Sequence, residues 1–223
     1  MKRSWLIVPL LFLLSGAAFA DAPPAFSEGM SYDVVNPAMP TDAKPGQVEV
    51  VEFFWYGCPH CFALEPTLEA WVKAKPKDVL FRRVPGAFKD SEFYVDGQAF
   101  FTAQVLGIGD KIHEPLFNAI HLGNQDALRT DVDALRTFFG QFGVSAKDFD
   151  NAWNSFAVQT RLSEAAAIET RYNIMSVPTI IVDGKWKTGA GYKTADGQYM
   201  NSQQIMQCVD HLVQMARAEH KKK

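Results

Sequence analysis

Val48-Glu49-Val50-Val51-Glu52-Phe53-Phe54-Trp55-Tyr56-Gly57-Cys58-Pro59-His60-Cys61 is the stretch on which the rest of the chain turns. Residues 48–55 are apolar on both alternating faces apart from two glutamates, the pattern of a strand inside a sheet covered on both sides. Gly57 breaks that strand. From Cys58 to about residue 73 the spacing is helical, with Phe62, Leu64, Leu68, Trp71 and Val72 as candidate buried positions. Pro66 is expected to bend this helix, because it has no N–H to give the Phe62 carbonyl.

Working outward, residues 79–84 form a second strand, so strand, helix and strand follow one another and a right-handed parallel crossover is expected. Residues 91–172 change to helical spacing throughout, punctuated by Gly107, Gly123 and Gly143. This marks a small helical domain, residues 89–172, inserted into an α/β domain made of residues 21–88 and 173–223. Residues 179–182 and 185–188, joined by Asp183-Gly184, form a hairpin with a tight turn. Residues 202–218 close the chain as a helix with Ile205, Val209, Leu212 and Ala216 on one face. The Pro- and Gly-rich lead-in, residues 21–47, leaves room for one edge strand near residues 31–35.

Residues 1–20 stand apart. Lys2 and Arg3 precede an apolar run ending in Ala18-Phe19-Ala20, the layout of a cleaved secretory signal. The run is shorter than the roughly 20 residues of a membrane-spanning helix, and no second one follows. The expected compartment is outside the cytoplasm, where disulfides persist. The whole chain has 223 residues, 48% of them hydrophobic, and a net charge of −3. That near balance argues against nucleic acid or an anionic membrane as the main partner.

Cys58-Pro59-His60-Cys61 carries the chemistry. Cys58 falls at the helix N-cap and Cys61 one turn inside, so their sulfurs can reach bonding distance. The unpaired N–H groups and positive dipole end of the helix stabilise a thiolate at Cys58, Pro59 suits the first helical position, and His60 adds positive charge when protonated. A stabilised thiolate makes the disulfide easy to reduce, the direction known for dithiol oxidants generally. The alternative is half of a zinc site, but zinc takes four ligands and no second paired set of Cys or His appears, so no metal is expected.

Glu52, between Val51 and Phe53, loses hydration in the strand. Its pKa should rise, which fits it to exchange protons with the buried thiol of Cys61; an ion pair with Arg82 or Arg83 is the structural alternative, and both can hold together. In Val177-Pro178 the proline opens a strand and is a candidate cis bond, with the Val177 main chain placed to pair with an incoming extended peptide beside Cys58. Cys208 falls on the buried face of the last helix and reads as a packing residue. His113, His121, His211 and His220 read as surface or packing residues.

The run from Val50 to Cys61, with Leu116-Phe117-Asn118-Ala119-Ile120-His121, Ala152-Trp153-Asn154-Ser155-Phe156 and Val177-Pro178-Thr179, resembles the DsbA family of periplasmic thiol:disulfide oxidases over nearly all of the chain beyond residue 20. The resemblance implies an α/β thioredoxin fold with a central mixed sheet and an inserted helical domain. It also implies an exposed, attacked Cys58, a buried Cys61, a glutamate at Glu52 that assists proton transfer and a cis Pro178. Relatives carry a lysine where this chain has Arg82-Arg83, which makes Arg83 the expected charge partner of Glu52. The implied partners are unfolded or reduced exported proteins and a membrane reoxidase of the DsbB type. The enzyme is expected to be a monomer in the periplasm and to use no cofactor beyond its Cys58–Cys61 disulfide. A reductase or isomerase on the same fold, or a non-redox peptide-binding module, are the rival readings; loss of turnover on replacing Cys58 separates the last of these.

Overall fold

A computed structural model describes residues 26–87 and 92–222. The leader expected at residues 1–20 lies outside the described residues. The chain runs β1 (Asp33–Val34), β2 (Val48–Phe54), α1 (Pro59–Ala74), β3 (Val79–Pro85), α2 (Glu92–Val105), α3 (Gly109–His121), a 3-10 turn (Asp126–Arg129), α4 (Val132–Gly140), α5 (Ala146–Trp153), α6 (Phe156–Arg171), β4 (Thr179–Val182), β5 (Trp186–Gly189) and α7 (Ser202–His220). The strands form one sheet in the order β1-β5-β4-β2-β3. β2 and β3 are parallel, whereas β2–β4, β4–β5 and β5–β1 are antiparallel, which makes the sheet mixed.

All seven residues of β2 are buried, because both faces of the sheet are covered. Val48 and Val50 pack with Leu64 and Leu68 of α1 and with Ile205, Val209 and Leu212 of α7. Val51 and Phe53 pack on the opposite face with Val158 and Leu162 of α6. Alternation then assigns the glutamates: Glu52 shares the α1 face with Val48 and Val50, and Glu49 takes the other. Register supplies their counter-charges, since Glu52 lies opposite Arg83 and Val51 opposite Arg82. Arg83 Nε is 3.1 Å from Glu52 Oε2 and Arg82 Nε is 2.9 Å from Glu49 Oε1. Unpaired, each buried carboxylate would cost several kcal/mol.

Helix α1 runs unbroken through Pro66, whose side is exposed to solvent. Of its expected buried residues, Leu64 and Leu68 are buried, while Phe62, Trp71 and Val72 are half-buried against the cores. The hairpin turns at Asp183 and Gly184, whose φ values are 53° and 64°, and Lys185 N–H donates to the Val182 carbonyl at 3.0 Å. Pairing resumes opposite Val182 at Trp186, so β5 begins one residue later than its sequence suggests. A Cβ on Gly184 would collide with the Met39 carbonyl oxygen as well as strain the backbone. Gly184→Ala is therefore expected to lower folding stability by about 2 kcal/mol or more, read as a lower denaturant midpoint; an unchanged midpoint would refute it.

Between β3 and β4 the helices build a second core of Ile112, Leu116, Phe117, Leu135, Phe139 and Phe149. Phe54, Tyr56, Cys58 and Cys61 belong to this core too. The cysteine pair thus sits where the end of β2 meets α1, α2 and α3.

Candidate active site

Cys58 is the N-cap residue of α1, with extended backbone at φ −85° and ψ 117°, and Pro59 occupies the first turn. The Cys61 backbone N–H points at the Cys58 sulfur, 3.4 Å away. No acidic residue lies in the first turn of α1, so nothing there opposes an anion. The Cys58 thiol is pulled down to about 6, first by the hydrogen bond that the Cys61 thiol gives it and then by the backbone N–H groups of Cys61 and His60 and the charge of His60, against the opposing effect of burial. Cys61 is pushed far the other way by burial and by the neighbouring Cys58 sulfur. One sulfur is prepared to be an anion, the other to keep its proton. Both cysteines are free thiols in this structure.

One expectation needs correction. Cys58 is only 6% exposed, compared with 0% for Cys61, so it is the more accessible residue of the pair without being an exposed one. The N-cap position turns its side chain in over the helix end, and the thiol lies 3.5 Å from the Val177 carbonyl oxygen, which accepts its hydrogen bond. Pro59 and His60 are exposed beside it. Val177 is half-buried, Pro178 is buried, and the bond between them is cis. The structure therefore brings Cys58, Pro59, His60, Cys61 and Val177-Pro178 together, with Pro59 and His60 at the surface and Cys61 and Pro178 buried behind it. Asn36–Pro37 is also cis, which the sequence reading did not anticipate.

Glu52 is fully buried beneath this surface, and burial pushes its carboxyl up to about 8 in spite of the Arg83 charge. Its environment includes Glu65 and Glu69, to which the sequence reading gave no role. Arg83 Nη2 donates to Glu65 Oε1 at 2.9 Å and to Glu69 Oε1 at 2.6 Å, while its Nε serves Glu52. His113 Nε2 lies 3.2 Å from Glu65 Oε1, and its Nδ1 is 2.8 Å from the Tyr56 hydroxyl. Burial raises the Glu65 carboxyl, but His113 and Arg83 outweigh it and hold Glu65 below the usual carboxylate range. Three carboxyls thus surround one guanidinium, and the most deeply buried of them keeps a proton. The only advance signal was spacing: Cys61, Glu65 and Glu69 recur every four residues on one helical stripe, as do His113, Phe117 and His121.

The loop before Cys58 is pinned by the helices that follow β3. Gly57 N–H donates to Asp96 Oδ2 at 3.1 Å, and His121 Nε2 lies 2.7 Å from the Tyr56 carbonyl oxygen. The His121 ring stacks on Phe62 at 4.7 Å between centroids, and that of His113 meets Phe54, Tyr56 and Phe117. His113 and His121, read from the sequence as surface or packing residues, pack against these rings and also hold polar partners in the loop. Cys208 lies on the far side, buried, with its sulfur 3.6 Å from Thr188 Oγ1 and 3.5 Å from the Ser31 carbonyl oxygen. Burial raises its thiol to about 11, the opposite of an activated sulfur.

Comparison with known proteins gives a consistent result. A family model described as a DSBA-like thioredoxin domain matches residues 83–199. The thiol:disulfide interchange protein DsbA of Burkholderia cepacia is 42% identical over 184 residues, 82% of this chain and 85% of that protein. The protein of the same name from Pseudomonas syringae pv. tomato is 36% identical over 202 residues, 91% of this chain and 90% of its own length. The crystal structure of Pseudomonas aeruginosa DsbA superposes with a TM-score of 0.77 at 33% identity, covering 88% of this chain and 97% of that one.

Proposed function

Because the chain belongs to the DsbA-like family of thioredoxin-fold thiol:disulfide oxidoreductases, we propose that it is an oxidase that gives a Cys58–Cys61 disulfide to reduced, unfolded exported proteins. The observation that carries this reading is the Cys58 sulfur at the α1 N-terminus, which accepts the Cys61 backbone N–H at 3.4 Å and whose thiol is lowered to about 6. In the oxidised enzyme, a substrate thiolate attacks Cys58 Sγ and the Cys58–Cys61 bond breaks. Cys61 takes the electron pair and, being buried, cannot stay charged, so it takes a proton from the Glu52 carboxyl, which is protonated at neutral pH. The second substrate thiolate then attacks the substrate sulfur of the mixed disulfide. Cys58 leaves as a stabilised thiolate, and the substrate carries the new disulfide away.

His60 contributes charge to that leaving group, Pro59 starts the helix that supports it, and the Val177-Pro178 main chain takes the substrate backbone beside it. Reoxidation removes two electrons from the dithiol, passed to a membrane reoxidase of the DsbB type, while Glu52 recovers the Cys61 proton. The exchange calls for no metal or organic cofactor. Residues 21–88 with 173–223 serve as the thioredoxin domain and residues 89–172 as a helical insertion, working as a monomer in the periplasm. Among the described residues no helix is long and apolar enough to cross a membrane.

The test is a trap. A Cys61→Ser variant activated at Cys58 as a mixed disulfide should accumulate a covalent adduct with a reduced, unfolded protein, and mass mapping should place the bond at Cys58. Attachment at Cys208, or no adduct at all, would refute the assignment.

A further inference from the structure

We propose that His113 is a positioning residue for the redox cycle: by holding the charge on Glu65 it leaves the surplus proton of the buried cluster on Glu52, where Cys61 can use it. The proposal rests on the reading of Glu52 as the proton partner of Cys61. Its geometry is a continuous chain. The Tyr56 hydroxyl meets His113 Nδ1 at 2.8 Å, His113 Nε2 meets Glu65 Oε1 at 3.2 Å, Glu65 meets Arg83 Nη2 at 2.9 Å, and Arg83 Nε meets Glu52 at 3.1 Å. It starts two residues before Cys58 and ends on the buried Glu52 carboxyl, whose charge acts on the Cys61 thiol.

One neutral tautomer of His113 satisfies both of its contacts. With hydrogen on Nε2, the ring turns that N–H toward Glu65 Oε1 at 3.2 Å, off the line of a full hydrogen bond, and Nδ1 accepts from the Tyr56 hydroxyl. Burial keeps the imidazole neutral despite Glu65 and Glu69, and burial holds the Tyr56 hydroxyl protonated as a donor. His113 therefore acts without titrating itself. The charged groups that face it are Glu65 and Glu69 from α1 and Arg83 from β3; Asp110 and Glu114 on its own helix line the cleft outside with it.

The consequence follows from counting charge. Arg83 offers one positive charge to Glu52, Glu65 and Glu69, and Lys73 adds a second only to Glu69, at 3.9 Å, so the cluster favours keeping one proton on a carboxyl. Glu69 is partly open to a cleft of about 990 Å³ and is solvated there, which leaves the two buried glutamates to compete. The Nε2–H dipole, 3.2 Å from Glu65 Oε1, favours the ionised form of Glu65. Without that donor, the proton is shared between Glu65 and Glu52, and Glu52 gives up its proton at lower pH.

The experiment reads the rate at which Cys61 expels glutathione from a Cys58–glutathione mixed disulfide as pH is varied. In the wild type the rate should rise through the Glu52 midpoint as that carboxylate becomes the base for Cys61. His113→Phe, which keeps the ring packing, should lower the midpoint by about one pH unit, a tenfold loss of proton affinity at Glu52. His113→Gln, whose amide can offer both a donor and an acceptor, should restore the wild-type midpoint. A midpoint that stays or rises in His113→Phe while the Cys58 thiolate titrates normally overturns the proposal, since mere loss of packing would lower stability and leave the midpoint in place. Glu52→Gln keeps the two readings apart. If it leaves the wild-type step intact, the Glu52 assignment fails; if it removes the step while His113→Phe does not move it, only the role of His113 fails.

Discussion

Replacing Cys58 by serine is expected to lower the oxidation of a reduced two-cysteine peptide at least about a thousandfold, to the background rate. A serine hydroxyl can neither form the Cys58–Cys61 disulfide nor serve as the sulfur that a substrate thiolate attacks. The fold should survive, because serine is among the best N-cap residues and its oxygen can accept the Cys61 N–H that now meets the sulfur at 3.4 Å. The measurement is turnover with oxidised glutathione as terminal oxidant, with a thermal melt of the variant alongside. A folded variant retaining a tenth of the activity would remove Cys58 from the mechanism, and a variant that kept peptide binding as its sole activity would favour a non-redox module.

The second large effect is a pH dependence that separates the two redox forms. The folded Cys58 thiol is lowered from 9.0 to about 6. A depressed value stabilises the folded state where the group is ionised, so the contribution is full above the unfolded value and disappears as pH falls through the folded one. Relative to the disulfide form, the dithiol form should therefore gain stability between about pH 6 and pH 9, by roughly tenfold in the folding constant per pH unit at most, with solvent screening reducing the slope. Below about 6 the gain is absent. Above about 9 the trend should reverse, because the unfolded chain sheds the Cys61 proton that the folded state keeps. Glu52 and Cys208 are present in both forms and largely cancel in the difference. Denaturant unfolding of each form at pH 5, 7 and 9 checks this. A gap that does not widen between the first two values means that no thiolate is being stabilised.

The architecture was written most plainly where local pattern and tertiary burial agree. The apolar run of β2, its break at Gly57, the helix starting at Pro59 and the Asp183-Gly184 turn each follow from a few adjacent residues. The change of period beyond β3 located the helices α2 to α6. The Glu52–Arg83 pair was half legible, since alternation puts the glutamate on the α1 face but only the register with β3 distinguishes Arg83 from Arg82. Local spacing could not give the rest of the cluster. His113 reaches Tyr56 across 57 positions and Asp96 reaches Gly57 across 39, contacts that exist only once α2 and α3 are docked on the end of the sheet. The burial of Cys58 was hidden for a related reason: an N-cap motif fixes the helix end, while the carbonyl that meets the sulfur comes from Val177, far along the chain.

Three side chains from the intervening helices, Asp96, His113 and His121, fasten the two residues that lead into Cys58. A miniaturised derivative made by excising those helices and splicing β3 to β4 would keep every residue of the Cys-Pro-His-Cys run. It would lose the brace that aims that run and the roof over Arg83 and Glu65. Whatever dithiol chemistry such a shortened chain retained would belong to a different, wetter site.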